Sequence, residues 1–271
     1  MATRFPLNDG RSIPALGLGV FQIPPGRATQ AAVREALAAG YRLVDTARLY
    51  GNERDVGVAV RESGLPRDHV VVTTKLWNSD HGSERALRAF EASRADLGLD
   101  YVDLYLIHWP VPRLRADSWK ALVKLRDSGR CRSIGVSNYT ADHLEDLLRT
   151  SDVVPAVDQV EFSPFLFQAD LLDYCARHGI VLEAYSPLTK GTRLRDSALA
   201  EFAAKYAHTP AQIVLRWALQ HRVVVIPKSA RPERIRENAR LFDFSISAKD
   251  MAVLDGLGEG YRTSWNPEGQ P

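Results

Sequence analysis

The sequence predicts an α/β fold: a (β/α)8 TIM barrel with an N-terminal β-hairpin at the barrel bottom and two extra helices. Three observations predict it. Eight short apolar runs recur along 271 residues, at Leu16–Leu18, Leu43–Val44, Val70–Thr73, Val102–Ile107, Ser133–Val136, Ala156–Val160, Ile180–Ala184 and Val223–Ile226. Several lack in/out alternation, as parallel strands covered by helices do. Helical patterns lie between the runs, and about 250 residues is a typical barrel length. No composition shift or linker divides residues 1–271, so a single domain is expected.

In chain order, Phe5–Leu7 and Ser12–Ala15 flank Asn8-Asp9-Gly10, a hairpin turn signal. The hairpin would cover the N-terminal end of the barrel and leave the opposite end for chemistry. Gly17-Leu18-Gly19 invites a dinucleotide-binding sheet instead. That fingerprint needs a third glycine where Gln22 stands, and Pro24-Pro25 follow where its helix should open. After the second run, Asn52 with Asp55 reads as the capping pair of a new helix. Val33, Ala36 and Leu37 share one helical face, as do Leu87, Phe90 and Leu97. Trp119, Leu122 and Val123 keep the i, i+3, i+4 rule, as do Leu144, Leu147 and Leu148. Thr209-Pro210 opens a helix carrying Ile213, Val214 and Trp217, and Ser247 with Asp250 caps the last one. The two extra helices fall near Leu199–Tyr206 and Ser247–Leu257, ahead of a Gly- and Pro-rich tail.

Composition excludes several classes. With 45% hydrophobic and 25% charged residues the chain reads as globular and soluble. A net charge of +2 is too small to make nucleic acid a main partner. No apolar run approaches the ~20 residues of a membrane span, and the N-terminus has no apolar leader. Cys131 and Cys175 form no C-x-x-C pair, which suits a reducing compartment and core thiols. A cytoplasmic protein without a membrane partner is expected. The seven histidines show no metal-ligand spacing, so no metal is expected, and there is no serine-hydrolase elbow or Walker A loop.

In a barrel the residues after each strand converge on one mouth. Here they are Asp45 and Tyr50, Lys75 and Trp77, His108 and Trp109, Ser137 and Asn138, Gln159, Tyr185 and Ser186, and Lys228 and Ser229. Each alone has a plain explanation: a solvated lysine, a core histidine, a packing tryptophan. What outweighs these is coincidence, with Asp, Tyr, Lys and His at the same end of four strands. A tyrosine, at about pKa 10, donates protons poorly at neutral pH. A nearby ammonium is expected to lower that pKa, and an aspartate to keep the ammonium charged. A neutral histidine can hydrogen-bond a carbonyl oxygen. The set would stabilise and protonate an alkoxide, but it holds no electrons, so a cofactor must donate hydride.

Six blocks, in order, carry a resemblance. They are Tyr41–Ala47 leading to Tyr50-Gly-Asn-Glu53, Thr74–Trp77, Asp103–Pro110, Gly135–Tyr139, Ala184–Leu188, and Ile226–Ser229 with Arg234, Glu237 and Asn238. From Phe5 to the last helix the chain resembles the aldo-keto reductase family, in particular bacterial 2,5-diketo-gluconate reductase-like members. The resemblance implies Tyr50 as proton donor, Asp45 and Lys75 tuning it, and His108 orienting the carbonyl. It implies Ser137, Asn138 and Gln159 on a nicotinamide carboxamide and Tyr185 stacked on the ring, with Ser186 and Leu188 also at the cofactor. Lys228, Ser229 and Arg234 would bind the 2′-phosphate of NADPH, with Glu237 and Asn238 near the adenine. A Lys/Ser/Arg set offers a phosphate both charge and directional donors. Phe21, Trp77 and Trp109 would line the substrate pocket. Histidine at position 108, where double-bond reductases of the family carry Glu, points to carbonyl reduction.

The loop 188–195 and the tail are short, which implies an open pocket for small polar or aromatic carbonyls. Which tail residue reaches the pocket is left open, Trp265 being one candidate. The expected activity is NADPH-dependent reduction of small aldehydes, ketones or keto-sugars by a monomer. Two alternatives stand beside it: a nicotinamide-binding sensor or regulatory protein with little turnover, and a barrel isomerase or aldolase using Lys75 as a Schiff-base amine.

Overall fold

The computed structural model describes residues 3–268. The chain opens with the hairpin β1 (Arg4–Pro6) and β2 (Ser12–Pro14). Strand and helix then alternate: β3 (Leu18–Gly19), α1 (Arg27–Ala38), β4 (Leu43–Asp45), α2 (Glu53–Arg61), β5 (Val71–Leu76), α3 (Ser83–Leu97), β6 (Val102–Ile107) and α4 (Arg115–Asp127). The second half continues with β7 (Cys131–Ser137), α5 (Ala141–Thr150), β8 (Val157–Glu161), α6 (Ala169–Arg177), β9 (Val181–Tyr185), α7 (Ser197–Tyr206), α8 (Pro210–Gln220), β10 (Val224–Val225), α9 (Pro232–Asn238) and α10 (Ala248–Asp255).

Strands β3 to β10 lie side by side in chain order, all parallel. Two isolated parallel bridges, Leu16 to Val225 and Gly19 to Lys228, join the two ends of the sheet and close the barrel. Strands inside such a ring are covered on both sides, which is why all six residues of β6 are buried. The first barrel strand lies slightly later than the apolar run, at Leu18–Gly19. Closure also explains the Gly-x-Gly. A Cβ on Gly17 would stand 2.5 Å from the Leu43 side chain, and one on Gly19 would stand 2.8 Å from the Ile226 carbonyl oxygen. These glycines serve close strand packing, not a dinucleotide turn.

The hairpin sits where it was expected. Asn8 donates to the Pro155 carbonyl (2.9 Å), and Ser133, at the start of β7, donates to Asp9 (2.6 Å). Both partners lie at the N-terminal ends of barrel strands, so the hairpin covers the bottom. Helices α7 and α10 are the two outside the repeat. Lys205 of α7 pairs with Asp250 of α10 at 2.7 Å, and Trp217 of α8 donates to Asp255 at 2.6 Å. Thr209 and Gln212 cap α8 reciprocally, with proline at its first position. Both cysteines are buried, as core thiols are.

One local expectation fails. Asn52 precedes α2, but its side chain makes no cap hydrogen bond. It accepts from Thr46 Oγ1 (2.7 Å) and donates to the carbonyls of Val20 and Ile23. Asp55 instead accepts from the Gly26 N–H (2.6 Å) and Gln30 (2.8 Å). Asn52 ties loops of the mouth together and Asp55 ties α2 to the start of α1, so the two do not cap one helix as a pair. Among the described residues, no helix is long and apolar enough to cross a membrane.

Candidate active site

Asp45 ends β4, Lys75 lies near the end of β5, and Gln159 and Glu183 lie on β8 and β9. Gln159 Nε2 donates to Asp45 Oδ2 at 2.8 Å. Strands β4 and β8 stand four places apart in the ring, so this bond crosses the barrel interior. Lys75 is fully buried. Its ammonium donates to Asp45 Oδ1 (2.7 Å) and to the Thr46 carbonyl (2.9 Å), and lies 3.3 Å from the Tyr50 hydroxyl. Tyr50 reaches in from a short 3-10 turn, Arg48–Tyr50, in the loop after β4. The extended Ala47 ahead of that turn and the left-handed Gly51 behind it (φ 66°) turn the chain back so the phenol can do so.

His108 follows β6. Its ring meets Tyr50 edge-on at 5.8 Å and Trp77 at 5.1 Å. Thus the four strand-end residues Asp45, Tyr50, Lys75 and His108 are brought together. Phe21 stacks obliquely on Tyr50 at 4.9 Å and is 43% exposed, so it stands at the rim. Trp77 is partly exposed beside His108, and Trp109 is buried at the next position in the chain. The tail brings in Trp265, whose ring lies 5.5 Å from Trp109.

The electrostatics differ from the simple expectation at one point. Burial is the largest influence on Tyr50 and raises its pKa; the Lys75 charge opposes this and does not overcome it. Burial also works against the Lys75 charge, but Asp45 and Tyr50 outweigh it, so its pKa is raised and it stays an ammonium. Asp45 is raised by burial, with Lys75 and Gln159 pulling the other way. Burial, helped by the Lys75 charge, drives His108 well below the usual histidine range, so the imidazole is neutral. Among the described residues its Nδ1 is buried without a partner, which leaves no acceptor to hold a proton there.

The residues beside this cluster form a second set. Ser137 donates to the Gln159 carbonyl (2.8 Å). Asn138, in the left-handed region at φ 62°, donates to the His108 carbonyl (2.9 Å) and accepts from the Tyr185 hydroxyl (2.8 Å). Ser186 and Leu188 follow Tyr185 in a partly exposed turn. Lys228 and Arg234 are exposed and have no ion pair among the described residues. Ser229 folds back on Arg231 N–H (3.1 Å). Glu237 accepts from Thr209 (2.7 Å), which ties α9 to the start of α8, and Asn238 is buried at the end of α9.

Two residues escape the reading of strand ends. Glu183 is fully buried within β9 and accepts from Gln159 at 2.5 Å. Glu161, at the end of β8, accepts from Thr263 N–H (2.6 Å) and Oγ1 (2.5 Å) and from Ser264 N–H (3.1 Å), which straps the tail beside Trp265. The available signal was a carboxylate inside an apolar strand run, which must be partnered or neutral. Among the described residues, no group of acids, histidines and cysteines could hold a metal.

Comparison with known proteins agrees with this architecture. The aldo/keto reductase family model matches residues 15–259. A glyoxal reductase of Bacillus subtilis is 47% identical over 262 residues, covering 97% of this chain and 95% of its own. The crystal structure of an aldo/keto reductase from Brucella melitensis superposes with a TM-score of 0.92 at 47% identity, covering 95% of this chain and all of that one. A Bombyx mori aldo-keto reductase in complex with NADP gives a TM-score of 0.91 at 34% identity, covering 97% of this chain and 94% of that one. The chain belongs to the aldo/keto reductase family, a family of oxidoreductases.

Proposed function

We propose that the protein reduces small aldehydes and ketones to alcohols with NADPH, and that Tyr50 gives the proton. The observation that carries this reading is the enclosed chain from Asp45 through Lys75 to the Tyr50 hydroxyl, with a neutral His108 beside it. NADPH, when bound, supplies the hydride. The chain's own groups supply the rest. His108, carrying its proton on Nε2, donates to the carbonyl oxygen and fixes its direction. As the oxygen gains charge, Tyr50 protonates it, and the adjacent ammonium stabilises the phenolate left behind. In the free protein burial holds the Tyr50 pKa above its ordinary value, so Lys75 acts chiefly when the proton leaves. Phe21, Trp77, Trp109 and Trp265 would give the substrate an aromatic frame.

Cofactor binding is supported by the second set. Ser137, Asn138 and Gln159 would face the carboxamide, and Tyr185 would give the nicotinamide ring a stacking surface. Ser186 and Leu188 would close over it. Lys228, Ser229 and Arg234 would hold the 2′-phosphate, for which two exposed cations with no ion pair among the described residues are suited. Glu237 and Asn238 would support the adenine side through α9. The Bombyx mori relative binds NADP, and the Bacillus subtilis relative is named for glyoxal, a small dicarbonyl.

The Schiff-base alternative is disfavoured because it needs a neutral, accessible amine. Lys75 is buried, charged and hydrogen-bonded. The sensor alternative is disfavoured by the assembled donor cluster. A carbonyl panel followed at the NADPH absorbance decides. Oxidation of NADPH coupled to alcohol formation is expected for small aldehydes and dicarbonyls. NADPH binding with no turnover across the panel would overturn the reductase reading.

A further inference from the structure

Glu183 sits in the barrel interior on β9, fully buried, and the mechanism above does not use it. Its neighbours define its state. One nitrogen, Gln159 Nε2, donates both to Glu183 Oε1 (2.5 Å) and to Asp45 Oδ2 (2.8 Å). Two carboxyl groups gripping one amide nitrogen are close neighbours in a poorly solvated interior. Like charges so placed do not both ionise. Lys75 decides which one does: its ammonium is 2.7 Å from Asp45, and among the described residues no cation pairs with Glu183. The second oxygen, Glu183 Oε2, is buried with no partner among the described residues. An ionised oxygen left so would be far costlier than a neutral one. The register neighbour on β10 is Val224, which adds no charge. The charged groups that act on Glu183 are therefore Asp45 from β4 and Lys75 from β5, and Glu183 in turn acts on Tyr50.

We propose that Glu183 is a positioning residue of the proton-donor cluster: a neutral carboxylic acid that fixes the Gln159 amide and leaves Asp45 as the single anion beside Lys75. This rests on the reductase reading given above. Two consequences follow from the geometry. Both Gln159 donor hydrogens are spent inward, so its Oε1 is the end offered to a carboxamide N–H. Asp45 and Lys75 also cancel in charge, so the phenolate of Tyr50 meets a neutral pair rather than a net negative one. Burial first, and then the Asp45 charge, push the Glu183 carboxyl up to about 8. Above that pH a second anion enters the cluster, makes Tyr50 a weaker acid and slows protonation.

The test compares wild type, Glu183→Gln and Glu183→Leu. Glu183→Gln keeps an acceptor for Gln159 and never ionises; Glu183→Leu removes both. Thermal melting checks that each folds. The first readout is the pH profile of kcat with NADPH and the best panel aldehyde. In wild type kcat falls as pH rises through about 8. In Glu183→Gln that alkaline limb moves up by about one pH unit or more. In Glu183→Leu kcat falls by about tenfold or more, within the ~10²-fold cost of misplaced reacting groups, and KM for NADPH rises. The second readout is infrared. At pH 6.5 a protonated-carboxyl stretch is expected in the wild-type minus Glu183→Gln difference spectrum of the free protein. Superimposable pH profiles, or no such band, would overturn the proposal while the reductase reading stands. A wild-type protein that turns over no carbonyl overturns both.

Discussion

The two ends of the barrel each hold an enclosed cation–carboxylate pair, and the pairs are used differently. At the mouth Lys75 meets Asp45 at 2.7 Å, with side chains 0% and 3% exposed. At the bottom Arg67 meets Asp103 at 2.5 Å, with side chains 24% and 9% exposed. Arg67 also donates to the backbone carbonyls of Val70 and Tyr101 and lies over the Tyr101 ring, its Nε being buried without a partner among the described residues, and Asp103 takes the Val72 N–H. Every partner there is structural. Lys75 takes one backbone carbonyl and aims its remaining donor at the hydroxyl of Tyr50. A buried pair is weak evidence for stability or for function on its own. The third partner decides: backbone at the bottom, a titratable hydroxyl at the mouth.

The comparison breaks most visibly at that hydroxyl. Tyr50→Phe keeps the ring against Phe21 and removes the proton. It should lower kcat by about 10²–10⁴-fold, the range for a positioned general acid, with little change in Tm. A near wild-type rate would remove Tyr50 from the donor role. Next come the exposed cations at the mouth. Arg234→Ala should raise KM for NADPH by roughly 10–100-fold, the loss of a charge-assisted contact, and barely change KM for NADH. Equal losses with both cofactors would refute the phosphate assignment. The bottom pair should behave in the opposite way. Arg67→Ala should cost about 1–3 kcal/mol of stability in urea unfolding, less than a fully buried pair because Arg67 is partly solvated. Its kcat should stay within about twofold. A large loss of turnover with unchanged stability would erase the distinction between the ends.

How far the sequence carried depends on whether a feature is local. Strand ends are local: Asp45, Lys75 and His108 each follow an apolar run, and closing the ring brings them together. The hairpin and the Thr209-Pro210 cap are local too. Glu183 was not legible as part of the cluster because its partner, Gln159, and their shared neighbour, Asp45, lie 24 and 138 positions away in the chain. Asn52 looked like a cap because a cap is the nearest use for an asparagine before a helix. The loops it actually ties, at Val20 and Ile23, are neighbours only once the barrel closes. The net direction of the Tyr50 pKa is not legible for the same reason: the sequence shows the lysine, which does lower it, but not the depth of burial that opposes it.

A third carboxyl sharpens the comparison, because it is buried with no ion-pair partner and no full hydrogen bond among the described residues. Asp158 on β8 is fully buried, and among the described residues neither of its oxygens makes a full hydrogen bond, the Tyr139 N–H being the backbone donor that acts on it. Burial pushes its pKa well above the ordinary value, and the nearby Tyr139 N–H offsets only part of this. The folded protein therefore holds a proton that the unfolded chain releases above about pH 4. The sign follows from linkage. Between the unfolded and the folded pKa the native state binds more protons, so stability falls as pH rises through that window. Asp158→Asn removes this loss without changing shape. It should be more stable than wild type at pH 8, by on the order of 1–3 kcal/mol, and the gain should vanish below about pH 4. Urea midpoints at the two pH values measure it. A gain independent of pH would mean that Asp158 is not the group whose proton is held, and that some donor reaches it in solution.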